Sequence, residues 1–467
     1  MKRTWIIDTT KKLDEKVEIR GWVQTRRDHG KLIFIDVRDR SGIVQAVFWA
    51  GRDKELFKQA SKLRSEYVVR LEGIVQARGE KQINDDLPTG RVELAVTKLE
   101  ILNTSETPVF EIEKASETSE ELRMQYRYLD LRSERMAENI KKRHQIIKLI
   151  RDELNQEEFY EIETPYLTKG TPEGAREFVV PARLSKGKYF VLPQSPQQFK
   201  QLLMTGGVER YFQIARCFRD EDTRGDRQAE FTQMDLEASF VSKEEIMELN
   251  EKLLIKIVET LYPEKHIQEA PFPRITYKEA MEKYGTDRPD IRLDKNDPNL
   301  LAFCWIVDFP MFEKTNKEEH HGAYGEWTFT HNPFSAPIDE HLELLRNKER
   351  IGDIVASQYD IVLNGYEIGG GSIRNHRADD LIKTLEIIGH SKEAIEANFG
   401  HMLKAFRFGA PPHGGIAWGL DRLIMILQNE PSIRDVIAFP KTGDSRDLLM
   451  DAPNVVDKRQ LKDLGLK

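Results

Sequence analysis

Residues 216–235, RCFRDEDTRGDRQAEFTQMD, decide the fold. The stretch holds four arginines and six acids, with Phe218 and Phe231 near its ends, too charged for a core and too aromatic for an idle loop. On a strand, side chains two apart share a face. Reading outward through RYFQIARCFRDED, Gln213, Ala215, Cys217, Arg219 and Glu221 fall on one face, and Phe212, Ile214 and Phe218 on the other. In FTQMDLEASF the apolar set is Thr232, Met234, Leu236, Ala238 and Phe240, and the opposite set is Phe231, Gln233, Asp235 and Glu237. Each strand therefore has one greasy face and one chemical face. The intervening DTRGDRQAE, with Gly225, suits a long hairpin loop. The pattern predicts an antiparallel hairpin whose polar face looks into a site. On pattern alone, a solvated hairpin with surface ion pairs accounts for it equally well.

The whole chain allows either. Its 467 residues suffice for two or three domains with a sizeable core. Charged residues make up 32% of it, and no apolar run approaches the roughly 20 residues of a membrane span. The start, MKRTWIIDTTKKLDEK, is interrupted by acids too early for a secretory signal, so the expectation is a cytoplasmic protein. Two cysteines, Cys217 and Cys304, can form neither a disulfide framework nor a multi-thiolate zinc site, which suits a reducing compartment. The adjacent His320 and His321 read as a solvated loop rather than metal ligands. A net charge of −8 does not advertise nucleic-acid binding, so any RNA contact must come from local patches.

Along the chain, VEIRGWVQTR, KLIFIDVRD, GIVQAVFW, EYVVRLEGIVQ and RVELAVTKLEIL read as strands, with helical DKELFKQASKLR late in the series. That is the pattern of a small five-stranded barrel of the oligonucleotide-binding type, assigned to residues 1–104. Residues 105–132, polar and Glu-rich around Pro108, read as a hinge. A second domain, 133–467, opens on a helix capped by Ser133, with Ile140, Ile147, Ile150 and Leu154 at helical spacing. Its strands and helices then mix without βαβ regularity, which predicts an antiparallel α+β domain. No internal repeat is present.

Two further segments carry chemistry. APPHGGIAWGLDRLIMIL sets a glycine-rich turn before an apolar helix opening at Gly419, Leu420, Asp421 and Arg422. A helix start favours anions, and Arg422 in its first turn can add a charge beside a phosphate, although an Asp–Arg surface pair reads as well. In YDIVLNGYEIGGGSIR, alternation puts Asp360 and Glu367 on opposite faces unless a bulge near Gly365 shifts the phase. The glycines would let backbone or ligand approach closely before Arg374. Two carboxylates near a polyphosphate suit Mg²⁺, but two acids at strand ends fit as well. The chain has no phosphate loop of the G-x-x-x-x-G-K-[ST] type, and Gly369–Gly371 do not fit the dinucleotide fingerprint, so arginines would have to hold any ATP.

Taken together and in order, EEFYEIETPYLT, FRDED…FTQMD, GYEIGGGSIR and GIAWGLDR resemble the motifs of a class II aminoacyl-tRNA synthetase. TPEGAREF, SPQQFKQLLM and RCFRDED…RQAEFTQMD are similar to the aspartate-specific, bacterial type in particular. The resemblance covers nearly the whole chain, including the barrel, which in that family binds the anticodon. There are two departures. The bacterial type carries a large insertion after a segment resembling YGTDRPDIRL, whereas here DKNDPN, near 293–299, leads directly into LAFCWIVDFPMFE. FTHNPFSAP has His331–Asn332 where the resemblance suggests two histidines, which leaves His331 as the expected substrate neighbour.

The resemblance implies activation of L-aspartate with ATP to aspartyl-adenylate, followed by transfer to the 3′ end of tRNA-Asp. A carboxylate is already a nucleophile at pH 7, so the first step needs positioning and charge neutralisation more than acid–base groups. By resemblance Arg219 meets the α-phosphate and Arg422 the γ-phosphate, while Asp360 and Glu367 hold Mg²⁺. Phe231 stacks on adenine, and Asp220, Glu221, Gln228, Gly419, Leu420 and Asp421 complete the ATP site. Glu173 and Gln197 are assigned to the substrate ammonium, and Lys200 and Arg374 to its side-chain carboxylate. Without the family match, Lys200 reads as a solvated lysine. Asparagine would leave buried cations unpaired, which predicts discrimination of roughly 10²-fold or more.

In the barrel, Arg26 and Arg27 would meet phosphates and bases, Phe34 would stack and Gln45 would read a base edge. On spacing alone, Phe34 reads as core rather than as a platform. His29, in RRDHGK, resembles members that charge tRNA-Asn as well as tRNA-Asp. Pro165 in ETPYLT resembles the family's dimer-forming motif, so a homodimer is expected. The competing readings are a catalytically inactive RNA-binding or regulatory paralogue, an asparagine-specific synthetase and a tRNA-independent amide ligase. The retained Arg219, Glu221, Asp360, Glu367, Arg374 and Arg422 speak against the first. Lys200 with Arg374 speaks against the second, and the intact barrel against the third.

Overall fold

Alternation of buried and outward side chains governs the strands Lys16–Asp28, Leu32–Asp39, Gly42–Trp49, Val68–Ala77 and Val92–Asn103. In the computed structural model, which describes residues 2–170, 174–316 and 325–466, they close into a barrel. The order is first, second, third, fifth, fourth, with only the third and fifth parallel. Ile19, Val23, Ile33, Ile35, Val44, Phe48, Leu71 and Leu94 fill its interior. Register shifts at Val23/Thr25 and Glu72/Gly73 supply the bends that closure requires. The predicted helix spans Lys54–Ala60, and the Asp53 side chain caps it by accepting from the Leu56 N–H at 2.9 Å.

The chain forms two compact units. One comprises the residues up to 119 with 128–137, and the other comprises 120–127 with the remainder from 138. The second unit is built on an eight-stranded sheet. Its order is Arg274–Thr276, Phe303–Val307, Gln358–Leu363, Tyr366–Ile373, His413–Gly419, Glu230–Ser239, Arg210–Phe218, Tyr160–Glu161. The six inner strands are antiparallel, whereas the short strand at each rim is parallel to its neighbour, so the sheet is mixed at its edges.

Alternation sorts the two faces of this sheet. Met234, Leu236, Ala238, Ile361, Ile416 and Trp418 enter one core with Ile146, Ile150 and Leu154 and with the helix Lys243–Leu261, which starts at a Ser242/Glu245 capping box. On the helix Glu134–Gln156, Ile146 is fully buried along with Ile150 and Leu154, while the expected Ile147 is only partly buried against that core. Phe240 departs from the predicted apolar face. The strand ends at Ser239, and Phe240 turns away with φ 60° and 67% exposure. A second core, with Phe334, Leu381, Leu385, Phe399 and Met402, lies under the 331–337 segment. The polar face of the sheet is left to a cavity.

Candidate active site

The hairpin that opened the sequence reading pairs Phe231 with Cys217, Gln233 with Ala215 and Asp235 with Gln213. Phe231, Gln233 and Asp235 line a cavity of about 360 Å³, together with Arg219, Glu221 and Gln228. The Arg219 guanidinium sits over the Phe231 ring, 5.1 Å from its centroid. Glu221 pairs with Arg227 at 3.0 Å. Both ends of the Gln228 amide are clamped on Lys441, Oε1 accepting from its N–H at 2.8 Å and Nε2 donating to its carbonyl at 3.1 Å. Asp220 is exposed and does not line the cavity; its N–H donates to the Arg176 carbonyl at 3.0 Å, which corrects its expected role.

The hairpin Gln358–Leu363/Tyr366–Ile373 brings both acids to the cavity. It turns at Asn364 and Gly365, with φ 50° and 86°, the left-handed pair typical of tight hairpins. The phase shift is not at Gly365. Ile361 pairs with Gly369 and Val362 with Glu367, so Ile368 is the extra residue that rotates Glu367 onto the face of Asp360. Gly370 faces Asp360 closely, since a Cβ there would lie 2.6 Å from Oδ1. Gln358 Nε2 donates to Asp360 Oδ1 at 2.8 Å, and His331 Nε2 meets Oδ2 at 2.9 Å. Burial opposes the His331 imidazolium, but the Asp360 charge outweighs this and, with Glu367, raises it to about 9. Desolvation by the surrounding protein and then the Asp360 charge raise the Glu367 carboxyl, although the residue keeps solvent exposure. Among the described residues no three or more His, Cys, Asp or Glu side chains gather to hold a metal. Asp360 and Glu367 fit a divalent cation whose remaining oxygens come from phosphates and water.

Deeper in the cavity, the helix Gln197–Thr205 buries Lys200 to 1% exposure, against its reading as a solvated lysine. Lys200 Nζ lies 2.8 Å from Asp235 Oδ2 and 3.2 Å from Glu237 Oε2. Arg374 donates through Nε to Glu237 Oε1 at 2.9 Å and through Nη2 to Oε2 at 3.2 Å. It also reaches Ser372 Oγ at 2.7 Å and the Gly415 carbonyl at 3.3 Å. The two expected carboxylate binders are thus adjacent but already held by internal acids. Burial opposes the Glu237 charge, yet Arg374 and Lys200 hold its carboxyl down at about 2. Asp235 goes the other way, raised chiefly by burial, and its Oδ1 is buried without a hydrogen-bond partner. Gln197 Nε2 donates to Gln201 Oε1 at 3.1 Å, and Gln201 in turn meets His413 Nε2 at 3.1 Å. Glu173 lies outside the described residues, as do His320 and His321.

At the helix Leu420–Leu427, Gly419 and Arg422 line the cavity. Arg422 donates to the Glu367 carbonyl and pairs with Asp226 at 3.2 Å. Leu420 is fully buried in the core, so its side chain takes no part in the cavity. Asp421 lines the cavity too, and its carboxylate accepts from the Thr232 N–H at 2.9 Å and from Arg143 at 2.5 Å. Residues that received no role from the sequence prove central. Ser335 bridges Gln358 at 3.2 Å and Ser372 at 2.8 Å, which completes a polar chain from His331 through Asp360, Gln358, Ser372, Arg374 and Glu237 to Lys200 and Asp235. Alternation had put Asp235 and Glu237 on the chemical face. Ser335, Ser372 and Gln358 gave no signal of their own.

On the outer face of the barrel, Arg27 donates to Asp36 at 3.0 Å and to Gln45 at 3.1 Å, and Gln45 donates to Glu93 at 2.9 Å. His29 meets Phe34 edge-on at 5.6 Å. Phe34 lies on the outer side of its strand and outside the barrel core. Arg26 is tied to the Ser61 carbonyl.

A family model described as tRNA synthetases class II (D, K and N) matches residues 119–443, and one described as OB-fold nucleic acid binding domain matches residues 17–102. The chain is 39% identical to the aspartate–tRNA ligase of Macrococcus caseolyticus, over 97% of this chain and 96% of that protein. It is 40% identical to the aspartate–tRNA(Asp/Asn) ligase of Halothermothrix orenii, over 98% and 97%. That second alignment runs over 586 positions, more than the 467 residues here, so the relative carries residues with no counterpart in this chain. Among solved structures, asparaginyl-tRNA synthetase from Pyrococcus horikoshii complexed with asparaginyl-adenylate matches with TM-score 0.75 and 26% identity, over 95% of this chain and 98% of that one. Aspartyl tRNA synthetase from Entamoeba histolytica matches in fold with TM-score 0.73 at 23% identity, over 94% and 91%.

Proposed function

The chain belongs to the class II tRNA synthetases of the D, K and N group, and from that premise we propose that it is an aspartate–tRNA ligase. The observation that carries the choice of amino acid is the buried Lys200–Glu237–Arg374 cluster beside the cavity. Of the ammonium's N–H donors, Asp235 and Glu237 engage two, and of the guanidinium's, Glu237, Ser372 and Gly415 engage all but one. One N–H of each cation is therefore available, which suits the two oxygens of a side-chain carboxylate. An amide would turn its own N–H groups toward one of these donors. The unpartnered Asp235 Oδ1 is the single feature that suits an asparagine amide, so asparagine is the competing substrate.

In the first step, an α-carboxylate oxygen of aspartate bonds to the α-phosphorus of ATP, and the bond to the β-phosphate oxygen breaks, releasing pyrophosphate. In the second, the terminal ribose hydroxyl of tRNA attacks the carbonyl carbon of the adenylate, AMP leaves, and the hydroxyl proton passes to solvent or phosphate. Arg219 neutralises charge at the α-phosphate and Arg422 at the far end of the polyphosphate. With Arg219 over one face of Phe231, adenine takes the other. Gln228, fixed on the Lys441 backbone, and Glu221 contact the nucleotide. Asp360 and Glu367 would hold Mg²⁺, which neutralises phosphate charge when bound; His331 and Gln358 fix the Asp360 carboxylate for that task. Gln197 supports the substrate ammonium, together with Glu173.

The barrel face of Arg27, His29, Phe34 and Gln45 is proposed to read the anticodon. A homodimer is proposed through the segment at Pro165, where Tyr166 and Leu167 are exposed apolar side chains. The proposed compartment is the cytoplasm. His29 can donate, accept and stack, which suits acceptance of both tRNA-Asp and tRNA-Asn. Aminoacylation of both purified tRNAs with labelled aspartate tests this. The wild type should charge both, and His29→Leu should lose tRNA-Asn selectively. Charging of tRNA-Asn by the wild type below about a hundredth of that of tRNA-Asp, a gap of about 2.7 kcal/mol, would overturn the dual specificity.

A further inference from the structure

We propose that Trp49 is a second base-stacking platform, which extends the RNA-contacting face of the barrel by one nucleotide beyond Phe34; this rests on the reading of that face as an anticodon site. The strand Gly42–Trp49 buries Val44, Ala46 and Phe48 and turns Gln45, Val47 and Trp49 outward. The neighbouring strand does the same with Leu32, Phe34 and Asp36. Phe34 pairs with Val47 and Leu32 with Trp49, so Trp49 is the diagonal neighbour of Phe34 on one face, at about 7–8 Å. Gln45 and Arg27 lie on the same face and are hydrogen-bonded to each other.

Trp49 is 55% exposed, so a large part of its ring is open to a ligand. Its ring is nevertheless held in place. A Cβ on Gly51 would come within 2.8 Å of the indole, so the missing side chain is the space in which the ring rests. The N–H groups of Arg52 and Asp53 both donate to the Trp49 carbonyl, at 3.0 and 3.3 Å, which fixes the turn beneath it. A ring backed by glycine on one side and open on the other can accept a base without reordering.

The surrounding charge selects the partner. The Ala50 N–H donates to the Lys31 carbonyl at 3.0 Å, so Lys31 and Arg52 lie in the chain on either side of the Trp49 position, and both are exposed. The adjacent Asp53 is spent on capping the next helix. An open aromatic face with exposed cations near it in the chain, on the same sheet face as polar side chains that can read base edges, matches single-stranded RNA.

Trp49→Ala, Trp49→Phe and Phe34→Ala, each in the full chain, are titrated with tRNA-Asp transcripts carrying an abasic site at each anticodon-loop position in turn. Trp49→Ala should weaken binding of the intact transcript about tenfold, and Trp49→Phe should restore most of it. The loss should vanish for one abasic transcript, at a position different from the one that silences Phe34→Ala. Binding of the intact transcript by Trp49→Ala within about twofold of the wild type, or a loss that no abasic position removes, would overturn the proposal. If Phe34→Ala also binds like the wild type, the reading of the whole face fails, not only its extension.

Discussion

Lys200 and Arg374 show what burial demands of a charged side chain. Neither could be sealed beneath the sheet without an anion, and Glu237 serves both. Because its carboxyl sits at about 2 rather than the ordinary 4.5, Glu237 contributes stability that is fully present above about pH 4.5 and lost as pH falls through about 2. Glu237→Gln should remove that part of the acid limb and, by leaving buried Arg374 without its carboxylate and Lys200 with Asp235 alone, cost about 3–5 kcal/mol at pH 7. Urea unfolding at pH 7 and melting temperatures between pH 5 and 2 measure both; an unchanged acid slope with full stability would refute the assignment. Arg374→Gln should lower kcat/KM for aspartate about 10²-fold or more with little change in KM for ATP. Equal weakening for both substrates would mean that Arg374 faces phosphate as well. At this scale the sequence was only partly legible. Asp235 and Glu237 betrayed themselves by alternation, but Lys200 sits on a helix whose polar spacing looks solvated. The Ser335 hydroxyl meets Gln358 and Ser372, 23 and 37 residues away, a link that no local pattern reveals.

The hairpin Gln358–Leu363/Tyr366–Ile373 makes the same point for an element. Strict alternation separates Asp360 from Glu367, and a single extra residue, Ile368, reunites them. A bulge leaves no compositional mark beyond the glycines that follow it, so the sequence could register that a phase shift was needed but not where. Gly370 ties this element to chemistry, since any side chain there would press on the Asp360 carboxylate. Gly370→Ala should therefore displace Asp360 while leaving the amino-acid pocket intact. ATP–pyrophosphate exchange should fall by about a hundredfold, with a raised Mg²⁺ requirement and an aspartate KM near that of the wild type. Exchange within about threefold of the wild type would show that the carboxylate position is not critical. The opening hairpin was more legible because its strands run without a bulge. Only Phe240, past the strand end, escaped the pattern.

For the whole molecule, a barrel and a sheet with one chemical face follow from period-two patterning, because each strand buries one side only. The parallel rim strands are two or three residues long, too short to carry any pattern. The proposed function rests on a polar face that brings Arg219 and Arg422 to the cavity wall along with the neutralised pair Lys200 and Arg374. The central claim is that this cavity activates aspartate. Amino-acid-dependent ATP–pyrophosphate exchange, run with each of the twenty amino acids at pH 7 with Mg²⁺, tests it most directly. Strong exchange is expected with aspartate alone. Robust exchange with asparagine, or none with any amino acid, would contradict it.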